Sequence, residues 1–211
     1  MQGLIGKKIG MTQIFNKDSG EVIPVTIIQT GTNVICQVKN PEKDGYRAVQ
    51  LGFEVRSDKR MTKPLLGHFK KHNAVPTRIV KEFNLDNTEE QLTPGQTVGV
   101  EVFENIKFVD VTGICKGRGF SGGIKRHNFK RGRETHGCKA HRQRGSSGSN
   151  TTPGRVVPGL RMEGQYGNTQ VTTKNLLLVG VDKEAGLVLI RGAVPGPSKG
   201  IVYIKKNLTK K

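Results

Sequence analysis

Short runs of apolar and β-branched residues, broken by turn residues, recur along most of this chain. They predict strands at 11–15, 22–29, 34–39 and 48–55, separated by Asp18-Ser19-Gly20, by Thr30-Gly31-Thr32-Asn33 and by the stretch 41–45. These four strands are expected to pair in sequence order as a meander. Pro24 has no backbone N–H, which places its neighbourhood at an edge or a bulge. Between 62 and 72 the period changes. Pro64 suits a first helical turn and Leu65, Phe69 and His72 recur at helical spacing, so a short helix is predicted there. Strand-like runs resume at 78–83, 97–103 and 108–114, with Thr93-Pro94-Gly95 as a turn before the second of them. The pattern stops at Cys115 and restarts at Gln170, where 176–181, 187–190 and 201–205 predict three further strands. Many short strands joined by turns read as a mainly β chain, a small antiparallel barrel or sandwich, and not as a helical or doubly wound fold. The expected body is 1–115 with 170–211, carrying a small helical insertion near 62–72, and 116–169 is an extension inserted between two strands of one barrel.

Within that insertion the stretch 116–161 is crowded with Gly, Arg and Lys and is nearly devoid of apolar residues. Its cations are Lys116, Arg118, Lys125, Arg126, Lys130, Arg131, Arg133, Lys139, Arg142, Arg144, Arg155 and Arg161, opposed only by Glu134. Such a run buries too little apolar area to offset roughly 1–2 kcal/mol of backbone entropy per residue, so alone in water it is expected to repel itself and stay unordered. A polyanion would order it. Its glycines allow backbone N–H groups to approach phosphates without a Cβ in the way, and the interspersed Phe120, His127 and Phe129 can stack on bases.

Charge over the whole chain supports the same reading. The 211 residues contain 35 Lys and Arg against 17 Asp and Glu, a net charge of +18. Residues 1–110 hold 15 basic and 13 acidic side chains, whereas 111–211 hold 20 and 4, so nearly all of the excess lies in the second half. A balance this basic points to nucleic acid or an anionic membrane. No stretch reaches the ~18–20 apolar residues that span a bilayer, and the start lacks the pattern of a signal peptide, so the protein is expected inside the cell. Cys36, Cys115 and Cys138 are odd in number and scattered, and are expected to be reduced thiols.

Several catalytic and ligand-binding patterns fail on context. Gly117, Gly119 and Gly122 match the spacing of a dinucleotide-binding turn, but no helix with an apolar face follows and no acidic residue stands about 20 positions on. His136, Cys138 and His141, with Cys115 or His127 as a fourth donor, lack the paired spacing of a structural zinc site. His68 and His72 stand at i, i+4 without the Glu of a metalloprotease motif. There are no paired carboxylates in the basic segment and no framed nucleophile. A DNA reader would show a recognition helix or dimer symmetry, and neither is legible.

The ordered motifs resemble the ribosomal protein L3 family in its bacterial form. They are Gly3-Leu4-Ile5-Gly6-Lys7-Lys8-Ile9-Gly10-Met11-Thr12, then Val109-Asp110-Val111-Thr112-Gly113 running into Lys116-Gly117-Arg118-Gly119-Phe120. Further along come Lys125-Arg126 with Asn128-Phe129, His136-Gly137, His141-Arg142, Gly145-Ser146, Thr152-Pro153-Gly154-Arg155-Val156 and Gly192-Ala193-Val194-Pro195-Gly196. The resemblance implies a translation-protein type β-barrel on the large ribosomal subunit. It also implies direct binding of large-subunit (23S-type) rRNA, a role early in subunit assembly, and an extension that helps organise rRNA near the peptidyl transferase centre.

It further implies a protein that is not an enzyme, has no cofactor or metal, and acts in the cytoplasm within the ribosome. Its expected partners are the rRNA and neighbouring large-subunit proteins, with no DNA, membrane or homo-oligomer. The residues expected to contact RNA are Lys116, Arg118, Lys125, Arg126, His127, Asn128, Phe129, Lys130, Arg131, Arg133, His136, Lys139, His141, Arg142, Arg144, Arg155 and Arg161. Lys205, Lys206, Lys210 and Lys211 add cations to the body. Three departures from the family pattern stand out. Ser149 occupies the place of a glutamine that is methylated in some bacterial members. Pro158, Leu160 and Glu163 interrupt the basic run after Thr152-Pro153-Gly154, and the chain has no Trp.

Overall fold

A computed structural model describes residues 1–16, 20–85, 92–207 and 209. Asp18, Ser19, Lys210 and Lys211 of the readings above lie outside the described residues. The chain divides into two compact units, Met1–Ile114 with Gln170–Lys211, and Cys115–Thr169.

The strands are β1 (Gly3–Phe15), β2 (Val22–Gln29), β3 (Asn33–Lys39), β4 (Ala48–Val55), β5 (Thr77–Asn84), β6 (Thr97–Val98), β7 (Phe108–Ile114), β8 (Phe120–Ser121), β9 (Gly164–Gln165), β10 (Gln170–Asp182), β11 (Leu187–Arg191) and β12 (Ile201–Lys206). The helices are α1 (Pro41–Asp44), α2 (Lys63–Lys71) and α3 (Gly123–His127). In the larger unit six strands close an antiparallel barrel in the order β1-β12-β7-β10-β11-β2, as the mainly β reading anticipated, while β5-β4-β3-β6 form a separate four-stranded sheet.

Period-two burial builds the barrel interior. Val109 and Val111 of β7, Val188 and Ile190 of β11, and Val202 and Ile204 of β12 are buried, each separated from its partner by a residue on the other face. These side chains join Leu51, Phe53 and Phe83 of the four-stranded sheet in one apolar cluster, so barrel and sheet share a core. Successive residues of β3 divide between two cores. Ile35 belongs to the shared core, and Cys36 packs with Phe69 of α2 and with Ala74 in a second, smaller cluster. Gly3 has to be glycine, because a Cβ there would lie 2.3 Å from the Ile204 carbonyl oxygen and 2.8 Å from the Phe83 ring. Asn33, fully buried, ties the sheet to β1: its Nδ2 donates to the Ile5 and Thr30 carbonyls at 3.0 Å each, and its Oδ1 accepts from Ile5 N–H at 3.1 Å.

The meander is corrected by these pairings. β1 pairs with β2 and β3 with β4, but β2 pairs onward with β11 and not with β3. The connection after β2 is held elsewhere, since both the N–H and the hydroxyl of Thr30 donate to the Gly186 carbonyl, at 3.0 and 3.1 Å. Pro24 lies just beyond the last β2–β11 pair, Val25 with Arg191, where no N–H is needed from it and its carbonyl accepts from Gly192 N–H at 2.9 Å. The run 97–103 is a strand over Thr97–Val98 alone. It continues as a 3₁₀ turn, Val100–Phe103, whose i, i+3 spacing buries both Val100 and Phe103. The helix expected at 62–72 is α2, with Pro64 in its first turn and Phe69 as its buried anchor.

Glu54 of β4 stands at φ 56° and binds Lys7 of β1 and Arg78 of β5, each at 2.9 Å. Chiefly the Lys7 bond, aided by Arg78, holds its carboxyl below the ordinary value of 4.5. A carboxylate lowered in this way contributes stability that is complete above the unfolded-state value and is lost as pH falls through the folded one. Glu54→Gln is therefore expected to lower stability by about 1 kcal/mol or less near neutrality, because both ion pairs are partly solvated. The gap to the parent should narrow as pH falls through the folded Glu54 value, which lies below 4.5, and vanish once that carboxyl is protonated in the fold. A gap of constant size across that range would show that the carboxylate charge is not what stabilises.

Candidate nucleic-acid interface

The unit Cys115–Thr169 leaves the barrel after Ile114 of β7 and re-enters it at Gln170 of β10, two residues that pair with each other. Its two chain ends run together as a narrow stem. Cys115 N–H donates to the Thr169 carbonyl at 3.0 Å, Arg118 N–H to Tyr166 at 2.8 Å and Tyr166 N–H to Gly119 at 2.9 Å, and β8 then pairs with β9. Gly167, at φ 72°, is required at this crossing, because a Cβ would fall 2.1 Å from the Lys116 carbonyl oxygen. The Cys115 thiol is held below its ordinary value, first by its hydrogen bond with the Thr169 hydroxyl.

Beyond the stem the chain has one short helix, α3, capped by Asn128 in the left-handed region at φ 59°. Arg126 Nη1 and His127 Nε2 both donate to the Met162 carbonyl, at 2.6 and 2.9 Å, which ties α3 to the returning chain. The Phe129 ring lies over Gly123 and 5.7 Å from the His127 ring. Farther out, Gly132 N–H donates to the His141 carbonyl at 3.0 Å and His141 Nδ1 donates to the Arg133 carbonyl at 2.9 Å, so 132 and 141 are held side by side. Arg131 pairs with Glu134, and His136 and Gly137 turn the chain with positive φ.

No apolar side chain of this unit is buried; its buried residues are Ser121, Gly123 and Gly167. Lys116, Arg118, Lys125, Asn128, Lys130, Arg131, Arg133, His136, Lys139, His141, Arg142, Arg155 and Arg161 are exposed. Arg126, His127, Phe129 and Arg144 are half-buried, and Arg144 Nη1 is out of solvent without a hydrogen-bond partner. The unit thus presents twelve cations against Glu134 and Glu163 on a scaffold of turns. A polyanion can bind such a surface along its backbone, and aromatic rings can stack on bases. Phe120, named above as a stacking ring though not among the seventeen expected contacts, and Tyr166, which the sequence reading did not single out, also line this surface. Phe120 is 80% exposed, and Tyr166 carries the Arg118 guanidinium 5.0 Å above its ring. Phe120 was legible as the single aromatic beside the first Gly/Arg run; Tyr166 carried no local signal.

The glycines at 117, 119 and 122 lead into the five residues of α3 and not into a long nucleotide-binding helix. Among the described residues no group of three or more His, Cys, Asp or Glu side chains could hold a metal ion, and no helix is long and apolar enough to cross a membrane.

Comparison with known proteins gives one consistent result. Residues 74–186 match the family model described as Ribosomal protein L3. The chain is 51% identical over 202 residues to large ribosomal subunit protein uL3 of Crocosphaera subtropica, covering 96% of this chain and 95% of that one. It is 50% identical over 205 residues to the protein of the same name from Alkaliphilus metalliredigens, covering 97% of each. With the protein of that name from Thermotoga maritima it shares 48% identity over 206 residues, again 97% of each chain.

Proposed function

The chain belongs to the ribosomal protein L3 family, a structural component of the ribosome and not an enzyme, and from that premise we propose how it acts within the large subunit. It binds large-subunit rRNA directly and early in assembly, in the cytoplasm, beside neighbouring large-subunit proteins. Its basic extension helps to organise rRNA near the peptidyl transferase centre. The observation that carries this reading is the unit 115–169, with twelve cations, two acids and no buried apolar side chain, on a stem rooted between two paired barrel strands. A unit of that kind contributes little to its own stability and gains order by neutralising phosphates that would otherwise repel one another.

Its chemistry is scaffolding. Exposed Lys and Arg meet phosphates, exposed aromatic and imidazole rings meet bases, and glycines let the backbone come close. The seventeen residues expected to touch RNA divide into two groups by geometry. Arg126 and His127 already hold the Met162 carbonyl, so their first task is to shape the extension, whereas Arg142, Lys130, Arg155 and Arg161 are free to reach outward.

Binding of the full-length protein to a large-subunit rRNA transcript should therefore weaken steeply with salt. Arg142→Ala is expected to reduce the slope of log affinity against log salt by about 0.7–0.9, the value for one phosphate contact. Arg126→Ala should change affinity without a matching change in slope. Equal slopes for the parent and the Arg142 variant would remove Arg142 from the interface. A parent that binds no more tightly at low salt than at high salt would overturn the reading as a whole.

A further inference from the structure

The near-neutral first half of the chain conceals a second cationic surface. Residues 56–72 carry Arg56, Lys59, Arg60, Lys63, Lys70 and Lys71 against Asp58 alone, a net of +5. Residues 1–110 as a whole are +2, so outside this stretch they hold nine basic against twelve acidic side chains, a net of −3. Elsewhere in the larger unit four cations are paired, Lys7 and Arg78 with Glu54, Lys39 with Glu82 and Lys183 with Glu104, and the other cations are scattered over several elements. Among the described residues none of the six cations of 56–72 has a carboxylate within ion-pair distance, and all six are exposed.

Helical geometry concentrates part of this charge. At 100° per residue Lys63, Gly67, Lys70 and Lys71 share one face of α2, turned away from Phe69, which is 1% exposed and anchors the helix on Cys36 and Ala74. Gly67 is the independent clue. Glycine destabilises a helix interior relative to alanine, yet among the described residues a Cβ built at Gly67 meets no atom within 4 Å beyond its chain neighbours and its own helix backbone. Among the described residues no packing contact calls for a glycine there. A bare backbone in the middle of an exposed lysine face fits a partner that comes to the helix more closely than any side chain would allow.

We propose that the Lys63–Gly67–Lys70–Lys71 face of α2 is a second RNA-contact surface, on which a sugar–phosphate strand of large-subunit rRNA lies directly against the helix. The proposal rests on the ribosomal reading above for the identity of the polyanion. The face has no apolar anchor, since Leu65 points to another side of the helix. Protein interfaces are depleted in lysine at their centres and lean on aromatic and apolar anchors, whereas phosphates are met by lysine and open backbone.

The test measures binding of full-length variants to the large-subunit rRNA transcript over a range of salt, alongside thermal melts. In the triple variant Lys63→Gln, Lys70→Gln, Lys71→Gln the salt slope should fall by about two, at roughly 0.7 per contact, with little change in melting temperature. Gly67→Gln should melt at the parental temperature or slightly above it and bind at least about fivefold more weakly, so that stability and affinity move independently. Parental affinity and slope in both variants, with Arg142→Ala still defective, would overturn the α2 surface and leave the ribosomal reading standing. Normal binding to bare transcript combined with poor uptake into subunit precursors would assign the face to an acidic protein and also overturn the proposal. A parent protein that fails to bind the transcript would bring down both readings.

Discussion

Replacing residues 122–163 by an Asn-Gly turn is expected to leave the protein folded while large subunits assembled with it lose at least about tenfold in peptidyl transfer, equivalent to a barrier higher by ~1.4 kcal/mol. The graft is geometrically mild. Phe120 pairs with Gln165 and Ser121 with Gly164, so a two-residue turn closes these strands as a hairpin. Among the described residues every buried apolar side chain lies outside the excised segment, and the melting temperature should move by no more than about 2 °C, the effect of less than ~1 kcal/mol in a domain of this size. The truncated chain should still enter early assembly particles through its body. Loss of the cooperative melt would show that the extension is part of the core. Parental peptidyl transfer by subunits shown to contain the truncated protein would show that the extension does not organise that centre.

Phe83→Ala should do the reverse, removing a third or more of the folding stability without touching a proposed RNA contact. Phe83 is 1% exposed, belongs to the core that barrel and sheet share, and lies against the backbone of Gly3 at the start of β1. Truncating a buried phenylalanine costs about 3–5 kcal/mol through lost transfer energy and the cavity left behind, against a total of about 5–15 kcal/mol for a typical domain. The urea midpoint should fall by a third or more of its value, with the slope of the transition unchanged if the remaining fold is intact. A loss below ~1 kcal/mol would mean that sheet and barrel are held together elsewhere, for instance by Asn33 and its three hydrogen bonds to Ile5 and Thr30.

Local patterns in this chain carried a large share of the answer. The run 108–114 reads as a strand and is β7, 22–29 is β2, and the helical spacing around Phe69 marks α2, because period and turn residues act over a few positions and tell which face each element buries. The break in pattern from Cys115 to Thr169 likewise marks the second unit, since a stretch of Gly, Lys and Arg cannot form a core in any context. The cationic composition of that stretch and the family resemblance were legible at this level.

Tertiary structure alone decided the partners. Nothing in 22–29 says that β2 pairs with β11, some 160 positions away, and not with β3, because a strand's alternation is the same whichever edge it joins. The opening residues 3–10, rich in Gly and Lys, become strand only because β12 and β2 flank them in the closed barrel. Val100 and Phe103 could have alternated in a strand, but a 3₁₀ turn buries both at once. In the extension the fold turned Arg126 and His127 inward to the Met162 carbonyl, and on α2 it left Gly67 open among lysines. Composition determines that a polyanion is sought, while long-range closure of the chain decides which cations are left facing outward to meet it.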